Sequence, residues 1–144
     1  MPFDHQAFIV HDVSGFPIIR SRPEAIVPGY AGRWMREMEA LLAQDQPFVV
    51  VFPAGHAEET HEDRKRRGIW LKANKQVLGR LCLSLIAIEP DRLKRVALRA
   101  QTAMATKAFG IAMEIAASSE EATALAARLI ATGREAGRAA SSAL

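Results

Sequence analysis

The sequence predicts a single α/β domain in which strands and helices follow the order β-β-α-β-α-β-α-β-α. Two continuous apolar runs, at residues 48–52 and 81–88, have the composition of strands that are covered on both faces. Apolar residues recur at helical spacing before and after these runs, and this alternation favours a mostly parallel central sheet with right-handed crossovers. The chain has 144 residues, of which 49% are hydrophobic, and both values suit one domain with a sizeable core.

An N-terminal hairpin is predicted to add an antiparallel edge to this sheet. Its strands are expected at 7–13 and 16–22, joined by a two-residue turn at Ser14 and Gly15. Pro17 has no backbone N–H to donate, which favours a sheet edge or the start of a strand.

The first helix is predicted over 30–44, where Trp34, Met38 and Leu41 mark one apolar stripe. Glu37 is expected to lie largely off this stripe, as are the neighbouring charged residues. Pro47 ends the helical segment, because a proline disfavours helix in the residue before it.

The second helix is predicted over 61–78. Thr60 fits an N-cap, with Asp63 at the third helical position, and Gly79 suits the residue just past the helix end. The side predicted to be buried consists of Ile69, Trp70, Ala73 and Val77.

The third helix is predicted over 92–107, with Asp91 as its N-cap and Gly110 ending it. A short strand at 111–116 and a last helix over 119–131 follow, the latter opened by an S-x-x-E capping box at Ser118 and closed by Gly133. The residues of the third helix predicted to point inward are Leu93, Val96, Ala97, Ala100 and Met104. The domain is expected to span 1–133, and 134–144 to form a flexible or helical tail.

This pattern resembles the STAS superfamily, specifically its SpoIIAA-like branch, over about residues 8–130. The segments that carry the resemblance are FVVVF, the charged helix RKRRGIWLKANKQVLG, LCLSLIAI and the final SSEEATALAARLI. The resemblance implies a STAS-like fold and a small module that binds partners or apolar and anionic ligands.

A phosphorylatable serine begins the helix after the corresponding strand in the anti-sigma-factor antagonists of that superfamily. Here the stretch 52–60 has no serine, and Thr60 is its only hydroxyl residue. This departure argues against a phosphorylation switch. The resemblance therefore implies a non-catalytic module that acts in regulation or scaffolding through a protein partner.

The loops after the parallel strands offer an alternative, a small-ligand site or an unrecognised enzyme site. Ligands of open α/β sheets bind beyond the carboxyl ends of the strands, and helix N-termini there receive anions. The candidate residues are His56, Thr60, His61, Asp91 and Ser118. The competing interpretation, which we favour for Thr60, Asp91 and Ser118, is that they are N-caps.

The charge distribution suggests a third function, binding to an anionic surface. The net charge is +3, but residues 1–63 carry −6, residues 64–107 carry +10 and the remainder carries −1. A basic face of this kind binds nucleic acid or an anionic membrane, neutralises an acidic partner, or is simply solvated. Its candidate residues are Arg64, Arg67, Lys72, Lys75, Arg92, Arg95 and Arg99.

Catalytic and metal chemistry find little support in the sequence. No P-loop, G-x-G-x-x-G or G-x-S-x-G motif is present. His56 and His61 are five residues apart, which does not match the spacing of helical zinc ligands, and no metal or cofactor is predicted. Cys82, the single cysteine, is expected to be a buried inert thiol, and His11 to face solvent in the edge hairpin.

The chain is expected to work in the cytoplasm. Its first residues, MPFDHQAF, lack the pattern of a signal peptide, and no apolar run is long enough for a transmembrane helix. One cysteine allows no internal disulfide, which suits a reducing compartment. A homodimer is a further expectation, because the amphipathic helices and the hairpin edge each offer an interface.

Overall fold

The computed structural model describes residues 4–54 and 59–142, with side chains described as far as residue 133. Its strands and longer helices confirm the predicted α/β class. In chain order they are β1 (His11–Asp12), β2 (Ile18–Ser21), α1 (Ala31–Ala43), β3 (Phe48–Pro53), α2 (His61–Ala73), α3 (Lys75–Leu81), β4 (Cys82–Ile88), α4 (Arg92–Phe109), β5 (Met113–Ala116) and α5 (Ser119–Ser142).

The five strands form one sheet in the order β1-β2-β3-β4-β5. β1 is antiparallel to β2, and every other neighbouring pair is parallel, so the predicted hairpin edge and parallel sheet are both confirmed. The hairpin strands are shorter than predicted, and residues 13–17 connect them. This wider turn forms because the Asp12 carboxylate accepts hydrogen bonds from the Ser14 N–H and hydroxyl, at 3.0 and 2.7 Å.

The sheet separates two apolar cores. α1, α2 and α3 contribute to the core on the first face, where Trp34, Trp70 and Leu78 pack against Phe48 and Val50 of β3. On the second face, α5 packs on alternate residues of the same strands. The continuous apolar run of β3 is therefore buried on both faces, as its composition predicted.

The predicted helix over 61–78 is wrong in its length and in part of its buried side, of which Trp70 is buried as predicted. Asn74 leaves the helical conformation, with φ −109° and ψ 19°, and its side-chain amide donates to the Trp70 carbonyl at 2.9 Å. The chain resumes as α3, so Gly79 lies within a helix rather than past its end. Ile69, which was predicted to be buried, is 61% exposed, whereas Leu71 is buried.

The inward face predicted for α4 is also wrong. Leu93, Val96 and Met104 are 81%, 59% and 75% exposed. The opposite side of the helix, which includes Leu98 and Phe109, faces the fold instead. Apolar residues occur on both sides of this helix, so the helical spacing alone could not determine which side packs inward.

The last helix continues through Gly133 to Ser142, beyond its predicted end. A Cβ atom at Gly133 would lie 3.1 Å from Cδ1 of Leu83 on β4, so the glycine allows close packing of α5 on the sheet. Across 4–54 and 59–142, no helix combines the length and the apolarity that crossing a bilayer requires.

Candidate functional site

A cavity of about 400 Å³ lies between the sheet and the helices of its first face. Most of its wall is apolar, and a few polar side chains are gathered in it, which is the usual form of a small-molecule site. The main apolar lining residues are Trp34, Met38, Val50, Leu71, Leu78 and Leu85. The charged and aromatic polar lining residues are His11, Tyr30, Glu59, Arg64 and Arg67.

Three of these polar residues form one hydrogen-bonded cluster. Arg67 donates to both carboxylate oxygens of Glu59, from Nε at 2.5 Å and from Nη2 at 2.9 Å, and the Tyr30 hydroxyl donates to Oε2 of Glu59. The Arg67 guanidinium also stacks over the Trp34 ring, 5.4 Å from its centroid. These contacts hold the bidentate pair in place between α1 and α2.

The cluster keeps Glu59 ionised and Tyr30 neutral. Burial acts to raise the pKa of Glu59, but the hydrogen bonds from Arg67 and Tyr30 outweigh it, and the pKa lies below the usual 4.5. Burial and the hydrogen bond to Glu59 raise the pKa of the Tyr30 phenol. Arg64, whose side chain is 67% exposed and lies 3.5 Å from Glu59, is the cation of this wall that remains open to solvent.

A second polar pair, His11 and Glu37, is buried at the edge of the sheet. The Glu37 carboxylate accepts hydrogen bonds from the backbone N–H groups of Ile9, Val10 and His11 at 2.9–3.1 Å, and contacts His11 Nδ1 at 3.0 Å. Burial acts to raise the pKa of Glu37, and these hydrogen bonds lower it below its usual value. Both predictions here are wrong: Glu37 is not off the buried side of α1, and His11 is 1% exposed rather than solvent-facing.

The geometry of this pair determines which ring nitrogen of His11 can accept a hydrogen bond. Because an ionised carboxylate only accepts hydrogen bonds, the proton of a neutral imidazole resides on Nδ1. Nε2 is then a hydrogen-bond acceptor. A histidine held in this way by a carboxylate can accept a hydrogen bond from a bound molecule.

Cys82 also lines the cavity, but its thiol is unreactive. The side chain is buried, as predicted, and burial raises the pKa of the thiol to about 12. The Sγ atom lies 3.7 Å from the Ser84 carbonyl oxygen. A thiol with this pKa is protonated at neutral pH and is a poor nucleophile.

The strand-end candidates that the structure describes do not line the cavity. Thr60 and Asp91 accept hydrogen bonds from the N–H groups of Asp63 and Leu93, and Ser118 accepts one from Glu121, as the capping interpretation predicted. His61 is exposed at the start of α2, and His56 lies outside the described residues. The site residues that sequence reasoning missed (Glu37 and Glu59 above all) come together only through contacts distant in sequence.

The acidic residues around the start of α2 are engaged by protein groups. Asp63 accepts hydrogen bonds from the N–H groups of Gly29 and Ala31, at 2.8 and 3.2 Å, which ties α2 to the segment before α1. Within residues 4–54 and 59–142, no group of three or more His, Cys, Asp or Glu side chains is arranged to hold a metal ion.

The predicted basic face is divided by the fold. Arg67 belongs to the cavity cluster, and Arg95 donates to the carbonyls of Glu89 and Pro90 at 3.0 and 2.7 Å. The exposed members lie on two helices that contact each other, α2 and α4, or at the start of α3. These exposed members are Arg64, Lys72, Lys75, Arg92 and Arg99.

The fold and the cavity together define an α/β protein with a mostly apolar pocket between the sheet and the helices of its first face. No family model, curated protein or solved structure matches this chain.

Proposed function

We propose that the protein is a non-catalytic binding module that holds a small apolar molecule with one anionic end. The observation that supports this is the cavity of about 400 Å³, whose wall is mostly apolar and whose polar groups are few. Binding pockets for small molecules typically measure about 300–1,000 Å³ and have this composition. The proposal includes a STAS-like fold of the SpoIIAA-like branch, supported by the antiparallel hairpin and the parallel β-α units after it. We also propose that the protein acts in the cytoplasm.

The polar groups of the cavity wall favour an anionic end. Arg67 is already paired with Glu59, but Arg64 is largely exposed beside the same carboxylate, and within residues 4–54 and 59–133 it has no ionic contact shorter than 3.5 Å. A bound carboxylate could therefore pair with Arg64 at the mouth, while the apolar part lies against Trp34 and Leu71.

Calorimetric titration with decanoate and decanol tests this proposal. Both ligands are expected to bind, because both present an apolar chain to the wall. The matched variants are Ile26→Phe, which fills space at a lining residue, and Val27→Phe at the neighbouring exposed position that does not line the cavity. Ile26→Phe should weaken both ligands at least tenfold, and Val27→Phe should leave both unchanged.

Arg64→Gln separates the anionic end from the apolar part. This variant should weaken decanoate several-fold and leave decanol unchanged, because only the carboxylate loses a partner. The proposal fails if neither ligand binds, or if Ile26→Phe and Val27→Phe behave alike.

A regulatory module that binds a protein partner is the second candidate function. The observation that favours it is the exposed apolar side of α4, since exposed apolar patches often mark interaction sites. A homodimer formed through this side is one version of the same candidate. Sedimentation velocity of the wild type and of a variant with polar α4 residues distinguishes the homodimer from a monomer.

A further inference from the structure

α4 is attached to the fold by one side only. None of its 18 residues is buried, and it packs mainly on the edge strand β5 with a smaller contact to α2. Leu93, Val96, Ala100 and Met104, spaced three or four residues apart, form a stripe on the outer side. This outer stripe is as regular as the buried face of an ordinary amphipathic helix, but nothing in the described chain covers it.

The charges of α4 have one sign. The helix carries Arg92, Lys94, Arg95, Arg99 and Lys107 and no acidic residue. None of these cations forms an ion pair with a carboxylate of the described residues. Arg95 instead donates to two backbone carbonyls. At 100° per residue, Arg92 and Arg99 lie along one border of the outer stripe and Lys94 along the other, and Lys107 ends the stripe after Met104. The exposed half of α4 is thus an apolar stripe with cationic borders.

We propose that this outer side of α4 docks the protein on an anionic lipid bilayer surface. Helices that lie in a membrane interface combine an apolar face with lysine and arginine at its borders and low overall hydrophobicity. Anionic headgroups supply the countercharge that α4 lacks, and the Leu93, Val96 and Met104 side chains enter the headgroup boundary.

Two other occupants fit the charges and the shape less well. A second copy paired through α4 across a two-fold axis would bring Arg92, Lys94 and Arg99 of one helix against the same cations of the other, with no acid on either helix. An acidic partner helix usually binds in a groove, whereas α4 is an outward-facing helix with all its residues at least partly exposed. A bilayer requires no groove.

The docking surface lies next to the proposed ligand cavity. α2 contacts α4 and also contributes Arg64 and Leu71 to the cavity wall. A bilayer-docked protein would therefore hold its cavity close to the membrane, where apolar anions partition. The docking inference does not depend on ligand binding, because the α4 surface and the cavity are formed by different side chains.

Vesicle flotation of the full chain tests the inference. The probes are vesicles of phosphatidylcholine alone and of phosphatidylcholine mixed with phosphatidylglycerol, at low and high salt. Binding is expected only to the mixed vesicles and is expected to weaken at high salt. Replacing Arg92, Lys94 and Arg99 together by glutamine should lower the partition coefficient on the order of a hundredfold, about fivefold for each cation.

An apolar variant and matched controls complete the experiment. Leu93→Gln with Val96→Gln and Met104→Gln should lower binding roughly tenfold or more without unfolding the protein, because the three side chains are exposed. Arg33→Gln with Arg36→Gln and Arg128→Gln removes the same number of exposed cations from α1 and α5 and should leave more binding than the α4 set.

Three results would overturn the inference. The first is equal flotation with neutral and mixed vesicles, and the second is equal loss in the α4 and control charge variants. The third is a wild type that does not float and sediments as a dimer, with the apolar variant sedimenting as a monomer. That last result would assign the outer stripe to a second copy, and decanoate titration of the same variant would show whether the ligand cavity is intact.

Discussion

The buried polar side chains of this protein differ in whether their hydrogen bonds are satisfied. Glu37 and Asp63 are each 5% exposed or less, and each accepts several hydrogen bonds from backbone N–H groups. Ser84 is fully buried in β4, and its hydroxyl has no partner among the described residues. A buried hydroxyl without a partner loses its hydration and gains nothing in exchange.

Ser84→Ala is therefore expected to leave the free energy of unfolding unchanged or to raise it by up to about 1 kcal/mol. Urea denaturation followed by tryptophan fluorescence measures the change. Ser118→Ala is the contrasting control, because it removes a helix cap and should cost about 1 kcal/mol. A loss of about 1 kcal/mol or more for Ser84→Ala would show that the hydroxyl has a stabilising partner.

Single residues were the hardest feature to predict from the sequence. The capping roles of Thr60, Asp91 and Ser118 were predictable because each cap contacts an N–H two or three residues away. The His11–Glu37 pair was not, since its members are 26 residues apart and meet only when α1 packs under the hairpin. Glu59 joins Tyr30 in the same way, across 29 residues.

Two glycines, one inside a helix and one at a helix end, have opposite structural roles. Gly68 lies inside α2, and a Cβ atom there would meet no atom within 4 Å. Gly110 ends α4 with φ +69°, and a Cβ atom there would lie 2.8 Å from Cε of Lys75. Gly68 therefore destabilises its helix, whereas the backbone conformation at position 110 requires glycine.

Gly68→Ala should raise the free energy of unfolding by about 0.5–1 kcal/mol, because alanine loses less backbone entropy and no neighbour is displaced. Gly110→Ala should lower it by about 1 kcal/mol or more, because alanine is strained at positive φ. Thermal denaturation of both variants checks the pair. The same sign of change in both would contradict the conformational argument.

Element boundaries were predicted best where a local signal marks them. Gly110 and Asp91 bracket α4 as the sequence indicated, because left-handed C-caps and aspartate N-caps are local features. The face that α4 presents to the fold was not predictable, because both sides carry apolar residues. Asn74 interrupts the second helix although its spacing continues smoothly, and no local pattern there signals the break.

The parallel sheet was predictable at the scale of the whole molecule, whereas the cavity was not. Strands that are apolar throughout must be covered on both faces, so FVVVF and LCLSLIAI specify a layered α/β arrangement. The space left between the helices and the sheet depends on how the side chains of α1, α2 and β4 fit together. That fit is a property of packing, which periodicity does not encode.

Three carboxylates that join separate segments of the fold affect how its stability depends on pH. Glu37 holds the N-terminal segment on α1, Asp63 holds α2 on the segment before α1, and Glu59 joins α2 to Tyr30. Burial opposes ionisation at all three sites, but their hydrogen bonds prevail, so each pKa lies below its usual 4.5 or 3.8.

Acid should therefore destabilise this protein in part through these three carboxylates. A carboxyl with a lower pKa in the folded state contributes stability that is complete above its unfolded pKa and is lost as pH falls through the folded pKa. The part of the free energy of unfolding that these carboxylates contribute should thus be complete above about pH 5 and fall steadily below pH 4.5, the usual value for Glu37 and Glu59. Urea denaturation at a series of pH values and constant salt measures this slope.

Glu37→Gln removes one titrating group and should make the acid slope shallower, whereas Glu24→Gln, at an exposed position, should leave it unchanged. Equal slopes in all three proteins would mean that Glu37 has the same pKa in the folded and unfolded chains.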